Sequence, residues 1–240
     1  MRRLILNRPA RHNAQTPRLW AQLAAAGHAL AADTDVRCVV ISGEGKSFSS
    51  GIDLGEMRNP DGFIRGLAAH PTGDPDPMLP AIATAQEAFR WIPQAPYLVI
   101  AAVTGAALGA GCQLALACDI RIVADSARLG LREVQYGLIP DMGATSALPR
   151  LVGRERALDL ILTGREFTGA EAVSMGLALR ACPEDEVAAA AGEYAAAMTR
   201  VPRSGVAYVK AAVDEPDPGR SLRLAGLGQA ACIRQAPVVG

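Results

Sequence analysis

The stretch Tyr97–Asp119, YLVIAAVTGAALGAGCQLALACD, constrains the fold more than any other part of the chain. Its first seven residues are apolar and rich in β-branched side chains, the pattern of a buried strand, and Thr104-Gly105 ends it. Gly105, Gly109 and Gly111 follow, and an apolar helix opens at Ala110 and runs to Ala117. Strand, glycine turn, helix is the grammar of an α/β protein. A helix start also presents unpaired N–H groups and a partial positive charge, which suit an anionic oxygen. The plainer alternative is that these glycines only let helix and sheet pack closely.

The rest of the first half alternates in the same way. Arg3–Leu6 is a short apolar run closed by Asn7-Arg8-Pro9. Thr16-Pro17 offers an N-cap and a first-turn proline for a helix over Leu19–Ala32. Val36–Ser42 predicts a second buried strand, stopped by Gly43-Glu44-Gly45. Asp119–Ala124 and Arg128–Leu131 predict two more. Between them, Asn59–Pro80 contains Pro60, Pro71, Pro75, Pro77 and Pro80, which forbid a long regular element and predict a mobile loop over the core. Beyond about Leu151 the pattern turns helical, with helices over Arg154–Leu162, Thr168–Met175, Glu184–Thr199 and Gly205–Val213. Thr168 and Glu171 have the spacing of a capping box.

Charge narrows the partners. The 24 Lys+Arg balance the 24 Asp+Glu, whereas nucleic acid and anionic membranes favour a basic surplus, so neither is expected. No apolar run approaches the roughly 18 residues of a membrane span, and the apolar stretch after Met1-Arg2-Arg3 is too short for a signal peptide, so a cytoplasmic protein is expected. Five scattered cysteines fit neither a disulfide framework nor a zinc site, and no metal is expected. The apolar residues are mainly small, with aromatics at 4%, so stability must come from many modest contacts and a partner surface would help.

Common catalytic motifs fail on spacing. Gly43–Ser47 ends like a phosphate-binding loop, but Val40 stands where that motif needs glycine. Gly105, Gly109 and Gly111 do not match a dinucleotide fingerprint. Ser50 lacks the flanking glycines of a nucleophile elbow, and His12, His28 and His70 are scattered. A second glycine turn remains, Lys46–Met57, KSFSSGIDLGEM. It is either a plain connection in which Asp53 caps a helix over Leu54–Met57, or a turn at Gly51 that aims the Ile52 N–H into a cleft. With the turn before Ala110 it could supply two donors to one oxygen, an oxyanion hole.

Phe48-Ser-Ser-Gly-Ile-Asp-Leu, followed by Ala107-Leu-Gly-Ala-Gly-Cys-Gln-Leu-Ala-Leu-Ala-Cys-Asp-Ile-Arg, resembles the enoyl-CoA hydratase/isomerase (crotonase) family. The likeness continues through Leu129–Ala144, Leu148-Pro-Arg-Leu-Val-Gly and Leu162-Thr-Gly-Arg, and begins at Asn7-Arg-Pro-Ala-Arg-His-Asn-Ala. It implies an α/β fold, a crotonase-like spiral of ββα units over residues 1–175 (with the loop at 59–80), and a C-terminal helical region for trimerisation over 176–240. Relative to that family the end of the chain, Ala230–Gly240, looks abbreviated. The expected assembly is a homotrimer or hexamer. The expected partner is an acyl-CoA thioester, with no cofactor besides the CoA of the substrate.

By motif position the resemblance assigns the oxyanion hole to the Ile52 and Ala110 amides. It places Ser50, Gly51, Asp53 and Gly109 among the substrate-binding residues around them, and Lys46 and Lys210 as CoA contacts, both otherwise solvated surface charges. Hydratases of the family hold two glutamates about one water, and those positions are Gln113 and Glu133 here. Glutamine cannot carry a proton, which weakens hydration and favours an isomerase moving a 3-enoyl double bond to position 2 with Glu133 as base. Arg132 beside it would lower the Glu133 pKa if the two were close, and would point away if the segment were a strand. Asp141 is either a second proton carrier, as in some isomerases, or the cap of a helix starting near Met142.

Overall fold

The computed structural model describes residues 1–198 and 202–235. The first strand, β1 (Arg2–Leu6), leads to α1 (Pro17–Ala32), whose N-cap Thr16 accepts a hydrogen bond from the Leu19 N–H. Buried β2 (Cys38–Gly43) follows, then the short helices α2 (Leu54–Arg58) and α3 (Phe63–Ala68). Within Asn59–Pro80 the chain forms one six-residue helix, and its last two residues already open a longer one. A sixteen-residue helix, α4 (Leu79–Gln94), comes next; sequence reasoning missed it, because Pro80 and Pro93 sit at its two ends, where proline is tolerated.

The central stretch forms β3 (Leu98–Val103), β4 (Ala106–Leu108), α5 (Ala110–Ala117), β5 (Ile120–Ala124) and β6 (Arg128–Gly130). Glu133–Tyr136 is a single 3-10 turn rather than a continuation of the strand. Then come α6 (Ala144–Val152), α7 (Arg154–Thr163), β7 (Phe167–Thr168), α8 (Gly169–Ser174) with the Thr168–Glu171 capping box in place, β8 (Arg180–Cys182) and α9 (Val187–Met198). The end predicted for α9, Thr199, lies outside the described residues. The described chain closes with α10 (Arg203–Asp214) and the unanticipated α11 (Pro218–Gln235), packed on each other.

Five strands make a parallel sheet in the order β1-β2-β3-β5-β8, and β4, β6 and β7 make a second, smaller sheet. Parallel strands need crossovers, and burial on both faces explains why β2 and β3 carry near-continuous apolar runs. In the core, α9 lies on β2, β3 and β5, and α1 packs against α4. The mixed α/β architecture with its terminal helices matches what the family resemblance implies. No helix of the described residues is long and apolar enough to cross a membrane.

Candidate active site

The two glycine turns meet because the main chain between β2 and α2 runs alongside β4. The Phe48 N–H donates to the Thr104 carbonyl at 2.9 Å, the Ser49 N–H to Ala106 at 2.9 Å, and the Leu108 N–H to Ser49 at 3.0 Å. Gly51 (φ 90°) then passes so close that a Cβ there would lie 2.7 Å from the Leu108 carbonyl oxygen. The same hypothetical atom would be 3.5 Å from the Ala110 nitrogen, which places the two turns side by side.

The pairing of Ile52 with Gln15 sets where its amide points. The Gln15 N–H donates to the Gly51 carbonyl and the Asp53 N–H to the Gln15 carbonyl, both at 2.7 Å. In a parallel bridge of this kind the peptides flanking Ile52 face Gln15, and the Ile52 N–H faces the other way. Ala110 is the first residue of α5, where an amide has no intrahelical acceptor. Neither N–H has a protein acceptor among the described residues. Both residues line a cleft of about 1140 Å³.

The turn before α5 also brings Glu133 to the cleft. Gly109 donates to the Gly130 carbonyl at 2.8 Å, which brings the 3-10 turn of Glu133 beside it, and a Cβ on Gly109 (φ 52°) would stand 3.5 Å from Glu133 Oε1. Gln113, 2% exposed on α5, donates from Nε2 to Glu133 Oε1 at 2.7 Å. Its Oε1 accepts the Met142 N–H at 2.8 Å. Glu133 Oε2 is buried and accepts no hydrogen bond from any described residue. Burial pushes the Glu133 carboxyl above its ordinary range; its own main-chain N–H and the Gln113 amide pull it down, and the Asp141 charge pushes it up again.

Of the two alternatives for Arg132, the one in which it points away from Glu133 holds, although the segment is a 3-10 turn and not a strand. Its guanidinium is turned to Glu166 at 2.9 Å and to Gln135, so its charge is met elsewhere and the net shift of Glu133 is upward. Asp141 caps no helix, since α6 starts at Ala144 after Gly143. It lines the same cleft, and although its surface is exposed there, the surrounding protein raises its carboxyl pKa by desolvation.

Ser50, Gly51, Asp53 and Gly109 also line the cleft. Asp53 caps α2 through the Gly55 N–H and pairs with Arg8 at 3.0 Å and Arg11 at 3.7 Å; the Gly55 bond first, and the arginines after it, hold its pKa down. Lys46 is exposed and outside the cleft lining. Lys210 is not brought to this site. Its Nζ bonds Asp119 at 2.8 Å and the carbonyls of Ile92 and Tyr97, so the tail helix is fastened to the end of β3 by a mostly buried ion pair. His12, set aside in the sequence, does line the cleft, bonded to Ser47 Oγ at 3.1 Å. Its position follows from a left-handed turn at His12-Asn13 that spacing did not reveal.

The remaining lining is apolar. Trp20 and Phe63, in edge contact at 5.2 Å, join Met57, Leu67, Met78 and Ile82 from the proline-rich region and its flanks. Such a cleft can take a chain of methylenes, with two amide donors and one buried carboxylate at its polar end. Among the described residues no three His, Cys, Asp or Glu side chains cluster to hold a metal.

Comparison with known proteins shows the family. The sequence profile of the enoyl-CoA hydratase/isomerase family matches residues 2–223. A probable enoyl-CoA hydratase of Mycobacterium tuberculosis is 35% identical over 214 residues, spanning 88% of this chain and 76% of the relative. The human mitochondrial Delta(3,5)-Delta(2,4)-dienoyl-CoA isomerase is 36% identical over 188 residues, spanning 76% of this chain and 55% of that one. A Thermobifida fusca protein assigned as an enoyl-CoA hydratase, crystallised with CoA, superposes with a TM-score of 0.85 at 40% identity, covering 97% of this chain and 89% of its own.

Proposed function

The chain belongs to the enoyl-CoA hydratase/isomerase family, and from that premise we propose that it shifts the double bond of a 3-enoyl-CoA thioester to position 2. The thioester oxygen sits between the Ile52 and Ala110 amides, and the acyl chain lies along the apolar wall of the cleft. Glu133 Oε2 takes a proton from C2, the electron pair spreads over the dienolate, and the same carboxyl returns the proton at C4. Atoms and charge balance with no water consumed. A preorganised amide donor at a developing oxyanion contributes about 3–4 kcal/mol.

The observation that carries this reading is Gln113. An amide occupies the place beside Glu133, with its oxygen and one N–H engaged, so one ionisable group remains at that point of the cleft. Hydration gains by a second carboxyl group to activate water, and its absence costs about 10²- to 10⁴-fold. Product-resolved rates on a 3-enoyl-CoA and a 2-enoyl-CoA test the assignment. Faster conversion of the 3-enoyl substrate supports it, and faster water addition to the 2-enoyl substrate restores the hydratase alternative. Tight thioester binding with no turnover on either would make this an acyl-CoA binding protein.

Asp141 favours a second reading within the same chemistry. Its carboxyl lines the cleft apart from Glu133, and a 3,5-dienoyl thioester needs its proton returned at C6, farther from the base. Asp141→Asn then slows a 3,5-dienoyl substrate more than a 3-enoyl one.

The expected CoA role of Lys46 stays within the proposal, as a contact outside the cleft lining. Self-association into trimers is supported by exposed apolar residues on the tail helices, Val209, Val213, Leu222 and Ile233, and light scattering tests it.

A further inference from the structure

The Asp141–Met142 peptide is gripped at both ends by glutamine side chains. Gln86 on α4 donates from Nε2 to the Asp141 carbonyl at 2.9 Å, and the N–H of the same peptide unit, on Met142, donates to Gln113 Oε1 at 2.8 Å. Gln113 then donates from Nε2 to Glu133 Oε1 at 2.7 Å. The polarity is forced. A main-chain carbonyl takes only a donor and a main-chain N–H gives only to an acceptor, so neither glutamine can be turned over without breaking its bond. Three amide groups therefore point head to tail, their positive ends toward the Glu133 carboxylate, and each polarises the next.

We infer that Gln86 is a positioning residue for the base: through the Asp141–Met142 peptide and Gln113 it orders Glu133 so that Oε1 is held as an acceptor and Oε2 is left for the substrate proton. The inference deepens the proposed function and rests on Glu133 being the base. Gln86 does not line the substrate cleft; it faces a separate cavity of about 710 Å³ on the far side of the Asp141–Met142 segment. Changing it therefore removes no side chain from the cleft lining. The same chain carries Asp141, so ordering Glu133 also fixes the second carboxyl that faces the cleft.

Other charges around Glu133 set the background. Asp141 faces it from the loop before α6, and Cys112 on α5 is a thiol pushed up to about 12 by burial and so uncharged. Arg132 on its own turn is paired with Glu166. Elsewhere on the cleft lining are Arg11, His12, Asp53 and Arg58.

The test compares Gln86→Met, which keeps the length and removes the donor, with Gln86→Lys, which keeps a donor and adds charge. Glu133 is titrated directly by carbon-13 NMR of protein labelled at the glutamate side-chain carboxyl carbon, with its signal assigned by its loss in Glu133→Gln. The acid limb of kcat/KM is followed in parallel. The expected result is that Met moves the Glu133 titration upward by about half a pH unit and Lys moves it to or below the wild-type position. A role in packing alone would move both variants the same way or neither, and either result overturns the inference. The NMR titration separates this from the proposed function: a shifted titration in a protein without isomerase activity would refute the reaction and keep the chain of amides.

Discussion

Gln113 Nε2 lies 2.7 Å from Glu133 Oε1, and the Gln113 carbonyl is already taken by the Met142 N–H. This pairing gives the two residues unequal parts. In the proposed reaction Gln113 aims and Glu133 reacts, because one oxygen of the carboxyl is tied down and the other is buried without a partner among the described residues.

Replacing Glu133 with Gln removes the carboxyl beside Gln113 that accepts the proton in the proposed reaction. Turnover of a 3-enoyl-CoA falls by about 10²-fold or more, while CoA-thioester affinity, measured calorimetrically, stays within a few-fold.

The same burial sets a pH dependence. The Glu133 pKa lies above its ordinary value, so the base is lost, and kcat/KM with it, as pH falls through that raised pKa. Stability runs with the opposite sign. The folded protein holds the Glu133 proton through a range where the unfolded chain has released it. The contribution is therefore full below the unfolded-state pKa and is lost as pH rises through the folded-state one. Glu133→Gln should raise Tm at pH 8 by a few degrees and leave it nearly unchanged at pH 4.

Gly51→Ala is expected to damage the site and the fold together. The new Cβ would meet the Leu108 carbonyl at 2.7 Å in a backbone region that disfavours side chains. A loss of about 2 kcal/mol in denaturant unfolding, with activity lowered more than binding, is the expected outcome.

Lys210 separates a structural from a ligand-contact role. Lys210→Met leaves Asp119 without its cation in a site that burial already makes costly, and should lose about 3 kcal/mol of stability. KM for the CoA thioester should stay within two-fold. A changed KM with unchanged Tm would return Lys210 to CoA binding.

Much of this architecture was legible in the residues. Buried parallel strands carry continuous apolar runs, and the Thr16 cap and the Thr168–Glu171 box mark helix starts where they occur. Helix α4 was hidden because its prolines and those of the preceding loop form one visual cluster, although terminal prolines do not break a helix. Gly51 pointed to the Ile52 amide and the family resemblance to that of Ala110, and both residues line the cleft. What spacing could not convey is which way a long side chain turns. Arg132 leans to Glu166 and Lys210 to Asp119, partners 34 and 91 residues away in sequence, and only the folded chain brings those carboxylates within reach.

The most direct test of the account follows a 3-enoyl-CoA carrying deuterium at both C2 positions through turnover, with products resolved by NMR and mass spectrometry. The account predicts 2-enoyl-CoA as the first product, with part of the deuterium carried to C4 and turnover lowered by about 10²-fold or more in Glu133→Gln. Formation of 3-hydroxyacyl-CoA as the first product, or turnover in Glu133→Gln within a few-fold of the unaltered protein, would contradict it.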